Sequence, residues 1–282
     1  MINANEKVKL LKSYFLQRPD VTMAFLFGSY AKNTAISESD FDIAIYFEPE
    51  TKAIEWEEER FYPQEDKIWG DVEKLAGLKT DLIVLNRAPA SLAFSVIQGG
   101  VPIVIKDRAL YLRFLLTISS AAEYFREFTK DFWAIKQRAS SLNEADKNRL
   151  IRITDFMETE LNDYSKFINL EQGAYEANTA VRRNVERWVE NIVNSSIDIA
   201  KIILASEKKR IPQTYREVME ELALLDNFDK NSAERLAAFA KLRNILAHEY
   251  LDIRFRQIKR FIQESEPAYK ELLRFVKSLL LK

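Results

Sequence analysis

The chain contains no cysteine. This excludes a disulfide framework and cysteine-ligated zinc, and is compatible with a reducing compartment. Its single histidine, His248, excludes histidine-rich metal sites as well. No run of about 18 uninterrupted apolar residues is present. The N-terminal residues Asn5, Glu6, Lys7 and Lys9 offer no secretion-signal core. The expectation is a cytoplasmic protein with no membrane partner. Charge of one sign is lacking too: the net charge of −1 by itself predicts neither a nucleic-acid nor a membrane partner. The halves differ, however. Residues 1–107 carry 12 basic and 17 acidic side chains, and residues 108–282 carry 30 and 26, so only the second half has an excess that attracts RNA.

What is present is enough to build cores: 282 residues and 47% hydrophobic content suit one large or two ordinary domains. The most informative stretch runs from Phe25 to Phe47. Val21 to Phe27 is a short apolar run halted at Gly28-Ser29, which reads as a buried strand ended by a residue free to turn sharply. The turn is predicted to open a helix. Its unpaired N–H groups and Ser29 would form an anion site that fits a triphosphate such as ATP. Eleven residues after Ser29 come Asp40 and then Asp42, at the head of a run rich in aromatic and β-branched residues, Phe41 to Phe47. Alternation along a strand points positions 40 and 42 the same way. Two carboxylates on one face repel unless a cation sits between them, and oxygen ligands of this kind suit Mg²⁺.

The ordered combination Gly28-Ser29 and Asp40-Phe41-Asp42, in strand, turn, helix, strand context, resembles the polymerase-β-like nucleotidyltransferases, specifically the minimal nucleotidyltransferase (MNT) group. That resemblance implies that Gly28 and Ser29 hold the β and γ phosphates of ATP and that Asp40 and Asp42 bind Mg²⁺. It also implies that Asp81 is the third ligand or the base for the incoming hydroxyl. Asp81, which opens the apolar strand Asp81 to Leu85, has as its alternative reading a helix-to-strand cap or a solvated strand end. The continuity of that strand predicts a central one, buried on both sides. With Val101 to Ile105, the first 107 residues are expected to form a small mixed sheet with helices on one face, Glu6 to Gln17 among them.

From Leu110 onward the pattern is helical. Helices are expected over 111–136, 143–170, 178–207, 215–225, 232–248 and 254–281, the last bent near Pro267. Asn143 and Ser232 read as cap-region starts. The predicted organisation is therefore an α/β nucleotidyltransferase domain at 1–107, a connecting helix at 108–140 and an all-α bundle at 141–282.

Lys241 to Tyr250 holds a second group of chemically capable residues. Asn244 and His248 stand one turn apart on a helix, and Arg243 and Tyr250 share a face if the helix runs that far. A guanidinium stabilises charge developing on phosphate oxygens and an imidazole moves protons near neutral pH, which suits metal-independent RNA cleavage by the 2′-hydroxyl. On spacing alone a histidine capping a helix C-terminus is the preferred reading. The Arg-x4-His-x-Tyr form, matched by Arg243, His248 and Tyr250 on the penultimate helix of a bundle, resembles the HEPN family. Its ribonuclease members pair such motifs across a homodimer. This form is typical of HEPN toxins partnered by MNT antitoxins, in which the nucleotidyltransferase adenylylates the tyrosine and silences the toxin. Here both parts lie on one polypeptide, so the chain is its own expected partner, modified on Tyr250 in cis or in trans. The alternatives are a small-molecule nucleotidyltransferase of the aminoglycoside-modifying kind with a helical substrate or dimerisation domain, and a non-catalytic nucleotide-binding module.

Overall fold

The structure, a computed structural model, describes residues 4–36, 38–51, 53–138, 142–248 and 255–281. The chain divides into two compact units, Met1–Phe125 and Arg126–Lys282. In the first, α1 (Ala4–Leu16), β1 (Val21–Leu26), α2 (Gly28–Ala31), β2 (Phe41–Phe47), α3 (Glu65–Ala76), β3 (Thr80–Val84), α4 (Ala90–Gly99) and β4 (Val101–Ile105) follow in order. The helix α5 (Arg108–Lys136) then carries the chain into the second unit.

The four strands form one mixed sheet in the order β3-β2-β1-β4. β1 runs antiparallel to both β2 and β4, and β2 and β3 are parallel. Alternation along the strands separates two cores. Phe41, Ile43, Ile45 and Phe47 of β2 pack with Leu11 and Phe15 of α1 and with Ile68 and Val72 of α3. Ala44 and Tyr46 face the other way, onto Ala93 and Val96 of α4 and Phe114 and Ile118 of α5. Helices therefore cover both faces, not one. Residues 108–125 of α5 belong to the first unit because their apolar side chains are part of its second core.

A further correction concerns β3. It is an edge strand, and its burial alternates, with Asp81 exposed between buried Thr80 and Leu82. The apolar continuity of Asp81 to Leu85 has another cause: Leu85 is already past the strand and packs among the residues of the α4 and α5 side. Asn86 completes the pairing beyond the strand end. Its Oδ1 accepts from the Phe47 N–H at 2.8 Å, and its Nδ2 donates to the Phe47 carbonyl at 3.2 Å and to Glu55 Oε2 at 3.0 Å. All of this lies out of water, Asn86 being fully buried. Asn86→Ala would leave a buried N–H, a carbonyl and a carboxylate short of partners, and is expected to cost about 3 kcal/mol. Urea denaturation of the two proteins, compared by midpoint at unchanged slope, measures it.

Among the described residues no strand follows Ile105. The second unit holds the end of α5 and α6 (Glu144–Leu161), α7 (Tyr164–Phe167), α8 (Gln172–Ala177), α9 (Thr179–Ser206), α10 (Tyr215–Glu220), α11 (Lys230–Ala240), α12 (Leu242–His248), α13 (Phe255–Glu264) and α14 (Glu266–Leu280). Asn143 caps α6 through the Asp146 N–H, as its position suggests. The cap of α11 is Asp229, which accepts from the Ser232 N–H. Ser232 is thus the capped residue rather than the cap. The central helix is α9, buried along most of its second half. Trp188 on it packs against Tyr164, Phe167 and Phe261 at ring-centroid distances of 4.7, 4.7 and 5.7 Å. Its indole N–H donates to the Glu160 carbonyl at 2.8 Å. No helix among the described residues is long and apolar enough to cross a membrane.

Candidate functional site

At the end of β1 the Phe27 N–H donates to the Asp42 carbonyl at 3.0 Å. This holds the following residue, Gly28, against the Asp42 side chain. Gly28 has φ +67°, and a Cβ built there would lie 1.8 Å from Asp42 Oδ2 and 2.7 Å from Asp42 Cγ. Only glycine meets both demands: the left-handed backbone and the contact with a carboxylate. The helix that opens there, α2, is a single turn of four residues, far shorter than a typical helix. The Ser29 carbonyl accepts from the Thr34 N–H at 2.9 Å, closing the loop that leads towards β2.

The parallel register decides how the three carboxylates relate. Phe41 pairs with Thr80 and Asp42 with Asp81, so Asp42 and Asp81 stand side by side on neighbouring strands and point to the same face. One step earlier the same register sets Asp40 beside Lys79, whose Nζ donates to Asp40 Oδ2 at 3.1 Å. Burial pushes the Asp42 carboxyl above the ordinary carboxylate range, and the negative charges of Asp81 and Asp40 push it further. The Lys79 ammonium is exposed, so this ion pair contributes little to stability and opens readily.

With the side chains in these positions, no three carboxylates or histidines among the described residues close into a metal-holding cluster; Asp40 is paired with Lys79. The Asp42 and Asp81 pair nevertheless has the donor chemistry of a hard divalent cation. Mg²⁺ is commonly bound through one or two carboxylates and keeps several waters; burial raises the Asp42 pKa most, and a cation would relieve the repulsion from Asp81 and Asp40 that adds to it.

Sequence reasoning did not identify Lys79. A basic residue two positions ahead of Asp81 was the available signal, but its partner follows only from the β2 and β3 register.

In the second unit the expected helix over 232–248 is broken at Lys241, so Arg243 and Asn244 sit in the first turn of α12. The Arg243 guanidinium lies over the ring of Tyr215 on α10, 5.2 Å from its centroid, a cation–π contact that fixes its direction. Asn244 is buried and does not present its amide at the surface. His248 ends α12. At 3.6 residues per turn, positions 243 and 248 are about 140° apart around the helix axis, so one copy of α12 does not bring them to a common face. Tyr250 lies outside the described residues.

Comparison with known proteins adds to this geometry. Residues 9–109 match the family model described as "Polymerase beta, Nucleotidyltransferase", and residues 157–276 match that described as "Ribonuclease HepT-like". No curated protein matches the chain. Among solved structures, a toxin-antitoxin with AMP-PNP matches at 21% identity with a TM-score of 0.36. Two mutants of the toxin-antitoxin MntA-HpeT match at 21% and 19% identity with TM-scores of 0.35 and 0.36. Each match covers 46% of this chain and 94% of the other. The Gly28, Asp40, Asp42 and Asp81 geometry falls inside the first matched segment and α12 inside the second, so the chain joins a polymerase-β nucleotidyltransferase domain to a HepT-like domain of the HEPN family.

Proposed function

We propose that the first domain transfers AMP from ATP to Tyr250, and that this silences an RNA-cleaving site built from Arg243 and His248. The observation that carries this reading is the pairing, in one chain, of the Asp42 and Asp81 register with the α12 motif. Asp42 and Asp81, with Asp40 once released from Lys79, would hold Mg²⁺. Bound there, the ion would offset the charge of the ATP phosphates and of the pentavalent transition state. Gly28 and Ser29 would seat the β and γ phosphates.

The tyrosine hydroxyl, with an ordinary pKa near 10, is a poor nucleophile at neutral pH and needs a base. Asp81, exposed in an edge strand, would take its proton. The phenolic oxygen then forms a bond to the α-phosphorus, the bond from that phosphorus to the bridging β oxygen breaks, and pyrophosphate leaves. The product sets an anion two residues past His248, where it would occupy Arg243 and repel an RNA backbone.

In the HepT-like domain, Arg243 would stabilise charge on the scissile phosphate and His248 would move the proton of the attacking 2′-hydroxyl. Because positions 243 and 248 diverge around α12, the cleavage site is completed in a homodimer. Asn244, buried beneath, supports the helix.

Incubating the purified chain with ATP and Mg²⁺ and digesting it should add about 329 Da, the mass of one AMP group, to the peptide that contains Tyr250. Tyr250→Phe should lose the label. Label on other residues only, or on an added aminoglycoside instead of the protein, would overturn the proposal.

A further inference from the structure

α6 and α9 pack along each other and leave a cavity of about 570 Å³ between them. Arg149 and Arg152 line it from α6, and Arg187, Asn191 and Asn194 from α9, with Phe156 at its side. We propose that this groove is a binding track for single-stranded RNA, separate from the α12 motif. The inference rests on the proposed RNA cleavage and deepens it.

The charge of the groove favours a phosphate backbone. Three guanidiniums face one carboxylate, Asp198, and that carboxylate is already held by Lys201 at 2.8 Å. Arg152 is exposed, and Arg187 pairs with Glu190, its neighbour one turn along the helix, at 2.9 Å. Arg149 is aimed by Asp131, 3.0 Å away, which Lys201 also binds. The exposed Arg187–Glu190 pair yields readily to a phosphate, and the planar guanidinium fork fits phosphate oxygens in two-point contacts.

The groove also mixes aromatic and amide side chains with its arginines. Phe156 is 46% exposed in a unit whose other phenylalanines, apart from Phe255 at the start of α13, are buried, which gives a base a ring on which to stack. Asn191 and Asn194 are half-buried beside it, and an amide reads base edges as both donor and acceptor. From Arg187 to Asp198 the α9 wall is about 16 Å long at 1.5 Å per residue. A stacked strand advances about 3.4 Å per nucleotide, so the track spans four or five nucleotides. Duplex RNA is too wide for a seam between two packed helices.

The test uses the full chain carrying Arg243→Ala, which keeps the probe intact, and a fluorescein-labelled 12-nucleotide RNA of mixed sequence followed by anisotropy over a range of salt concentrations. Adding Arg152→Glu with Arg187→Glu should weaken binding at least tenfold and flatten the salt dependence by one to two counterions. Arg152→Lys, which keeps the charge but loses the fork, should fall between. Phe156→Ala should weaken binding severalfold with the salt slope unchanged. Circular dichroism and light scattering check the fold and the mass of each variant.

Equal binding by the charge-reversal variant and its parent, or no RNA binding by the parent, overturns the track. So does a variant that changes only the oligomeric mass, since the groove would then hold a second copy of the chain. Cleavage is assayed separately with Arg243 restored. Groove-dependent binding without cleavage leaves the track standing and removes the ribonuclease reading. Cleavage unaffected by the groove variants does the reverse.

Discussion

Asp42→Ala is expected to abolish AMP transfer, with a loss of at least a thousandfold in rate, and to leave the protein more heat-stable than the parent at pH 7. Both effects have one cause. The Asp42 carboxyl is raised by burial first and then by Asp81 and Asp40, so its charged form is disfavoured in the folded chain. A raised pKa of this kind means that the stability this group contributes is full below its unfolded value, about 4, and is lost as pH rises through the folded value. At pH 7 the folded protein therefore bears an unfavourable charge. Asp42→Asn, which keeps the shape, isolates this effect. Its melting temperature should exceed the parent's at pH 7, and the gap should close as pH falls below about 4.

Mg²⁺ should narrow the same gap from the other side, because it stabilises the parent and not the variant. Gly28→Ala should match Asp42→Ala in transfer without the gain in stability. Its Cβ would fall 1.8 Å from Asp42 Oδ2 at a φ of +67°, so the carboxylate must move and the backbone is strained as well. Scanning calorimetry with and without Mg²⁺, alongside a pyrophosphate-release assay, reads all of this. Full transfer by Asp42→Asn would remove the metal assignment.

The second large effect is in cells. If AMP on Tyr250 restrains an RNA-cleaving site, the full-length Asp42→Ala chain, unable to modify itself, should arrest growth when expressed, whereas the parent should not. Adding Arg243→Ala or His248→Ala to Asp42→Ala should restore growth, each by removing a different part of the reaction. Arg243→Lys should restore it largely as well, since an ammonium neither forks onto phosphate nor keeps the planar contact with Tyr215. Growth of the Asp42→Ala strain equal to that of the parent, at equal protein level, would separate the two domains' activities.

The sequence by itself determined the stretch that carries the Gly28 turn and the paired aspartates, and the class of each half. Gly28-Ser29 and Asp40-Phe41-Asp42 were legible because strand alternation and the turn preference of glycine act over a few residues, and the α-only second half was legible because helical periodicity is also local. Cap position at Asn143 followed for the same reason. Only tertiary structure decided the rest. That β3 lies at the edge, that Asp42 and Asp81 stand in register, and that Asp40 meets Lys79 all depend on which strands pair, across about 39 residues of chain, and no local pattern encodes a pairing. The closeness of Gly28 to the Asp42 carboxylate likewise needs the β1 and β2 ladder. The break at Lys241 and the arginine groove depend on how separate helices pack, and a helix read alone shows which residues share a face but not what that face meets.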